Sequence, residues 1–269
     1  MNLNHNNTTF VIVTFKSENI INECLKTLPT DYKKIIIENS GNTQLKEDLE
    51  KNYQNLEVFL SKNHGMGASN NIGIKKCNTE YVYVINPDVK FNNDTLEGLN
   101  KSIQSINDFA ILSPLSSDPN YPNYKSKNNK YFSEDLIEVD SIDGYSMLIN
   151  KKKFQNDLYF DENIFLYLEN DDLCLRKKKE NECIFISKKS LIEHLGGGSS
   201  NATSKEELEY SRNWHWMWSK FYFNKKHYGT FQALIKSSFN LFSSIIRFFF
   251  YSVIFNQYKK KIYKMRLSG

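Results

Sequence analysis

Within its first sixty residues the chain changes hydrophobic period several times, and this alternation restricts the fold more than any single residue does. Phe10-Val11-Ile12-Val13-Thr14-Phe15 is a continuous apolar run of the kind a buried parallel strand requires. From Ser17 to Leu28 the apolar residues Ile20, Ile21, Cys24, Leu25 and Leu28 recur at helical spacing. Lys34-Ile35-Ile36-Ile37 reads as a second strand, Leu45 to Tyr53 as a second helix, and Leu56-Glu57-Val58-Phe59-Leu60 as a third strand. Strands alternating with short helices imply βαβ units with right-handed crossovers, hence a nucleotide-binding-like α/β opening.

The next strand carries the chemistry. Tyr81-Val82-Tyr83-Val84-Ile85 is aromatic and β-branched and stops at Asn86-Pro87-Asp88-Val89. Asn86 and Asp88 therefore stand beyond the carboxyl end of a strand, where open α/β sheets bind ligands. A carboxylate on a turn stiffened by Pro87 suits a hydrated divalent cation and, through it, a phosphate. A turn whose aspartate bonds its own backbone is the competing reading. Glu38 ends the second strand, at Glu38-Asn39-Ser40-Gly41, where an acid can accept from a base or ribose or simply be solvated. No GxGxxG follows the first strand, which argues against a dinucleotide oxidoreductase.

Asn63-His64-Gly65-Met66-Gly67-Ala68-Ser69-Asn70-Asn71 combines two glycines, which allow a tight turn and close approach to a ligand, with polar residues. Ser69, Asn70 or Asn71 is expected to cap a helix running through Cys77. The spacing is not that of a Walker A loop. A helix from about Asp94 to Ile106 follows, and residues 113–130, rich in Ser, Asn, Pro and Lys, read as a mobile loop. Residues 137–149 read as strands joined near Asp143-Gly144. Glu169-Asn170-Asp171-Asp172 sets three carboxylates at the start of a helix, as the helix dipole favours. Acids this close also raise one another's pKa, which is how a general base is tuned. After a strand at Ile184-Phe185-Ile186, His194 precedes Gly196-Gly197-Gly198-Ser199-Ser200, a flexible backbone that admits a ligand beside an imidazole.

Charge separates the two ends of the chain. Residues 220–269 hold ten Lys or Arg and no acid, while the remainder carries 25 basic against 31 acidic groups. An acidic body with no known nucleic-acid module argues against DNA or RNA binding, and a basic, greasy tail argues for an anionic lipid surface. Residues 205–228 hold Trp214, Trp216 and Trp218. Between Phe231 and Phe255 a polar stripe (Gln232, Lys236, Asn240, Ser243, Ser244, Arg247, Tyr251) runs opposite a wide apolar face. Charge at the bilayer centre costs roughly 2.5–3.5 kcal/mol, so the helix is expected to lie in the interface, with Lys259, Lys260, Lys261, Lys264 and Arg266 on headgroups. An oligomerisation helix is the alternative. Four scattered cysteines fit small buried hydrophobes in a reducing cytosol, and the polar Met1–Thr9 is not a signal peptide.

Taken in order, Val11 to Phe15, Glu38-Asn39-Ser40, Asn63 to Gly73, Asn86-Pro87-Asp88-Val89, Asp143-Gly144, Phe160 to Arg176 and His194-Leu195-Gly196-Gly197 resemble the family 2 glycosyltransferases, in particular a bacterial rhamnosyltransferase-like branch. The resemblance implies a GT-A fold: a Rossmann-like mixed sheet flanked by helices over residues 1–204, with residues 205–269 as an amphipathic helical tail. It implies inverting transfer from a nucleotide-diphosphate sugar, with Mg²⁺ or Mn²⁺, to a glycan or lipid-linked acceptor. By position, Asp88 and His194 are the expected metal residues. Thr14, Glu38, Asn39, Gly65, Gly67, Asn70, Asn86, Asp143 and Gly144 are the expected donor residues. The family commonly reads Glu-Asp-x-Asp where this chain has Glu169-Asn170-Asp171-Asp172, so the base is expected at Glu169, then Asp172, then Asp171. Rhamnose from a dTDP donor is the expected sugar, with a UDP-hexose or a catalytically weak, nucleotide-sugar-binding partner subunit as alternatives. The implied place of work is the cytoplasmic face of a bacterial membrane, and oligomers are open.

Overall fold

The computed structural model describes residues 2–106, 108–127, 130–196 and 205–269, with backbone alone at 130 and 131. Its strands are β1 (Thr8–Thr14), β2 (Lys33–Glu38), β3 (Leu56–Leu60), β4 (Tyr81–Ile85), β5 (Val89–Phe91), β6 (Ile111–Ser116), β7 (Tyr124–Lys125), β8 (Lys130–Tyr131), β9 (Leu136–Glu138), β10 (Ser141–Ile142), β11 (Ser146–Asn150) and β12 (Ile184–His194). The helices are α1 (Glu18–Thr27), α2 (Thr43–Asn52), α3 (Met66–Lys75), α4 (Thr95–Ser105), α5 (Glu169–Lys179), α6 (Lys205–Tyr228), α7 (Thr230–Val253) and α8 (Gln257–Ser268). The chain divides into two compact units, Met1–Asp161 with Asn170–Asn201, and Glu162–Glu169 with Ala202–Gly269. Segment 162–169, which the sequence places within the first domain, packs with the tail helices. The boundary expected after residue 204 lies outside the described residues, as does the Gly197-Gly198-Ser199-Ser200 end of the glycine run.

In the first unit one mixed sheet runs β3-β2-β1-β4-β11-β6-β12-β9-β8, with β5 paired to the end of β12. β3, β2, β1 and β4 are mutually parallel, and β11 then enters antiparallel. From β1 the chain winds outward to β2 and β3, then returns to β4 on the other side of β1. That reversal makes the carboxyl ends of β1 and β4 a topological switch point, where open α/β sheets bind ligands. Successive residues of β1 serve opposite faces. Phe10 and Ile12 pack with Ile21 and Leu25 of α1, Leu49 of α2 and Leu99 of α4. Val11 and Val13 pack with Ile74 of α3 and Leu173 and Cys174 of α5. α3 lies so close to β1 that a Cβ on Gly73 would stand 2.4 Å from Val11 Cγ1.

Two expectations are corrected here. The helix after the third strand starts at Met66, because Gly65 at φ 95° turns the chain into it, so Ser69, Asn70 and Asn71 lie inside α3 rather than capping it. The stretch read as a loop from residue 113 begins inside a central strand, β6. Pro114, normally excluded there, is tolerated because its parallel partner β12 shifts register between Ser187 and Leu191, beside the missing N–H.

The second unit is three helices plus segment 162–169. Ser219 Oγ donates to the Leu166 carbonyl at 2.7 Å, and Phe165 stacks on His215 at 4.2 Å. α8 is tied to α7 by the Tyr251–Tyr263 stack and to α6 by Arg266, whose Nε donates to Asn213 Oδ1 at 2.6 Å. α7 turns Ala233 and Ser244 inward and leaves Phe239, Phe242, Phe249 and Phe250 exposed.

Candidate active site

The carboxyl edge of β2-β1-β4 gathers polar atoms that the protein itself does not satisfy. Thr14 Oγ1, Asn39 Oδ1, Asn70 Oδ1 and Asp88 Oδ1 are all buried without a hydrogen-bond partner. Each such group costs about 1–3 kcal/mol, and native chains keep few of them. Thr14, Asn39 and the helix that carries Asn70 are joined by hydrogen bonds. The Asn39 N–H donates to the Thr14 carbonyl at 2.9 Å, and Asn39 Nδ2 donates to Ser69 Oγ of α3 at 2.7 Å. Four expected donor or metal residues thus carry buried acceptor or hydroxyl oxygens with no hydrogen-bond partner.

Asp88 and His194, over a hundred residues apart in sequence, are brought together by β5. Val89 pairs opposite His194, and the Leu195 N–H donates to the Asp88 carbonyl at 3.0 Å. His194 Nε2 lies 3.4 Å from Asp88 Oδ1 without a hydrogen bond between them. One face of the imidazole stacks on Tyr145 at 4.1 Å and 14°. Tyr145 escaped the sequence reading, although it directly follows Asp143-Gly144. Its carbonyl accepts from the Asn86 N–H at 3.0 Å, fixing the strand end, and burial pushes its phenol up to about 12. Among the described residues no three His, Cys, Asp or Glu converge as a complete metal cage. Magnesium rarely needs one: it binds through one or two carboxylates and completes its shell with water and substrate phosphate. A buried carboxylate oxygen without a partner, facing an imidazole, fits such an ion.

Asp143 is half-buried, and burial raises its pKa, reinforced by Asp171 and opposed by Lys125 and His194. Gly144 lies beside Asn170: a Cβ there would make an ordinary contact with the Asn170 side chain at 3.4 Å. At the start of α5 the polar residues do different work. Asn170 Nδ2 donates to the Ile142 carbonyl at 2.7 Å. Asp171 takes both oxygens to Lys125 Nζ, at 2.8 and 2.7 Å, and accepts from Ser141 Oγ at 2.5 Å. Asp172 is fully buried and accepts from Arg176 Nε at 2.9 Å, while the same guanidinium donates to the Leu158 and Tyr159 carbonyls. Glu169 is the first residue of α5 and is buried.

Glu38 is buried with its carboxylate turned into its own loop, Oε1 accepting from the Ser40 N–H and Oγ and Oε2 from the Asn42 N–H. Gly65 caps α3 and Gly67 lies in its first turn. Asn86 is half-buried, its carbonyl 3.8 Å from Cys24 Sγ.

The family model described as glycosyl transferase family 2 matches residues 9–175. The low-salt glycan biosynthesis hexosyltransferase Agl10 of Haloferax volcanii is 26% identical over 193 residues, covering 64% of this chain and 62% of the relative. The rhamnosyltransferase WbbL of Escherichia coli K12 is 24% identical over 197 residues, 62% of this chain and 75% of the relative. The chain thus spans less than two thirds of the archaeal relative it matches. S. aureus TarS 1–349 in complex with UDP-GlcNAc aligns over 97% of this chain and 90% of that one, with TM-score 0.56 and 15% identity. GalNAc-T7 with UDP, GalNAc and Mn²⁺ aligns over 82% and 50%, with TM-score 0.58 and 13% identity. At such identities the likeness shows the fold, which is GT-A.

Proposed function

Since the chain belongs to glycosyl transferase family 2, we propose that it transfers a sugar, with inversion, from a nucleotide-diphosphate donor to a glycan or lipid-linked acceptor of surface polysaccharide synthesis. The observation that carries this reading is the set of unpartnered oxygens at the strand ends, with Asp88 Oδ1 facing His194. Thr14, Asn39 and Asn70 hold the nucleotide, and the Gly65–Gly67 turn lets α3 approach its phosphates. Asp88 and His194 would hold Mg²⁺ or Mn²⁺, and the ion would supply neutralisation of charge on the departing diphosphate. Glu169 takes the proton of the acceptor hydroxyl as that oxygen bonds to the anomeric carbon from the opposite side. The anomeric C–O bond breaks, and its electron pair leaves with the nucleoside diphosphate. Asp171 and Asp172 position α5 through Lys125 and Arg176 instead of accepting protons.

Rhamnose from a dTDP donor is supported by the name of the E. coli relative, and a hexose from a UDP donor by that of the archaeal one. The protein works on the cytoplasmic face of a bacterial membrane, held by the outward apolar face of α7 and the lysines of α8. α7 is 24 residues long and apolar enough to span, but Lys236 and Arg247 disfavour that against lying in the interface. Calorimetric titration with a panel of nucleotide-diphosphate sugars, with and without Mn²⁺, tests the proposal. Metal-dependent binding of one donor is expected. If every donor fails to bind, the reading falls and that of a docking subunit, with Asn170 where the family carries an acid, replaces it.

A further inference from the structure

A histidine that serves a metal ion is usually aimed through its other ring nitrogen, which donates to a carboxylate, a carbonyl or water. His194 has no such tie. Among the described residues neither imidazole nitrogen makes a hydrogen bond, Nε2 lying 3.4 Å from Asp88 Oδ1 without one. His194 is the last residue of β12, and its side chain is 23% exposed. Pairing with β5 fixes its main chain, but the second side-chain torsion of a histidine has a broad minimum that the backbone does not set.

Tyr145 supplies what is missing. Its ring lies against the imidazole with centroids 4.1 Å apart and planes 14° from parallel, an attraction that favours one ring plane over the others. Tyr145 is itself firmly held. It is buried, its carbonyl accepts from the Asn86 N–H at 3.0 Å, and the next residue, Ser146, opens β11 opposite Ile85. The Ser146 hydroxyl lies 3.0 Å from that of Tyr83. One residue thus touches both members of the pair: its main chain meets the turn that carries Asp88, and its ring meets His194. The Tyr145 hydroxyl is buried and makes no hydrogen bond, Ser116 lying near it but out of bonding geometry. What this position gives its neighbours is therefore a flat aromatic face. All the residues concerned lie in the first unit.

We propose that Tyr145 is the positioning residue of His194: its ring, in place of the customary hydrogen bond, holds the imidazole plane with Nε2 toward Asp88, ready for a divalent cation. The inference rests on the reading of Asp88 and His194 as the residues that would hold the ion.

The test titrates Mn²⁺ into the full chain, alone and with UDP or dTDP present, and reads the bound ion by water proton relaxation. Tyr145→Phe keeps the ring and should keep the Mn²⁺ affinity within about twofold. Tyr145→Leu and Tyr145→Met remove the flat face while filling the space differently, and melting curves show which of them folds. The folded variant should bind Mn²⁺ roughly tenfold or more weakly, the scale on which an outer-shell partner acts. If the ring works through His194, the same substitution in a His194→Ala chain should change the affinity by less than about twofold. An equal loss in both backgrounds means general loosening and overturns the assignment. So does a Tyr145→Phe chain as weak as the Leu or Met variant, which would make the hydroxyl the active part. Mn²⁺ binding lost in Asp88→Asn but kept without the ring overturns this inference alone. A wild type that binds Mn²⁺ under none of these conditions overturns the reading of the site, and the inference with it.

Discussion

Asp172→Asn separates two roles that the sequence leaves tangled. Asp172 is fully buried and its partner Arg176 is 22% exposed, so the substitution strips the counter-charge from a guanidinium that also holds the Leu158 and Tyr159 carbonyls. Breaking a buried pair costs about 3–5 kcal/mol. The asparagine keeps an acceptor for Arg176 Nε, and the guanidinium reaches some water, so about 2–3 kcal/mol remains. At about 2–4 °C per kcal/mol for a unit of this size, the melting temperature of the first unit should fall by roughly 4–12 °C. At a temperature where the variant is still folded, kcat should change little. Glu169→Gln should behave in the opposite way, with donor binding retained and kcat reduced by roughly 10²–10⁴ for want of a base. Thermal melts and steady-state kinetics on both variants decide the matter. A stable Asp172→Asn that has lost turnover would make Asp172 the base and refute the structural role argued for it.

Asp88→Asn should abolish metal-dependent donor binding in calorimetry without lowering the melting temperature, because Asp88 Oδ1 has no protein hydrogen bond to lose; a clear loss of stability would mean the carboxylate is structural. Gly73→Ala should cost about 1–2 kcal/mol in urea, an overpacking penalty of about 1–3 less roughly 1 for better helix propensity, and Val11→Ala in the same chain should recover part of it. Burial lowers the pKa of His215 from 6.5, so the unfolded chain takes up its proton first as pH drops; stability of the second unit is full above about 6.5 and declines below it. His215→Phe, which keeps the stack on Phe165, should flatten that decline between about pH 7.5 and 5.5 in thermal melts. Phe239→Glu with Phe249→Glu, at sites 78% and 63% exposed, should release the protein from anionic vesicles in a sedimentation assay while leaving its melting temperature unchanged.

The parallel half of the sheet was legible because each element writes its own period: β1 to β4 and α1 to α3 lie within a few residues of where hydrophobic spacing puts them. The rest depends on partners distant in sequence. Pro114 and the serines of β6 look unfit for a central strand, and only the shifted register of β12 makes room for them. Asp88 is recognisable as a carboxylate beyond a strand end and His194 as an imidazole before a glycine run, but their 3.4 Å approach is set by the pairing of β5 with β12. The acids of α5 illustrate the limit most clearly. Their clustering was visible, whereas the commitment of Asp171 to Lys125 and of Asp172 to Arg176 depends on where a distant loop and the next helical turn lie.

Helix α7 carries the reasoning one step past the sequence. Its polar stripe and apolar face were legible, but their orientation was not, and water alone would favour the apolar face inward. The fold does the reverse. Ala233 and Ser244 are buried, Ser244 Oγ turns back to the Asn240 carbonyl, and the α8 seam is made by Tyr251 and Arg247 against Tyr263. Small residues and side-chain hydrogen bonds hold helices together where apolar surface gains nothing by packing, which is how helices associate in lipid. The outward phenylalanines and the lysines of α8 are the features on which the membrane placement proposed above rests, and the sedimentation assay with Phe239→Glu and Phe249→Glu decides it.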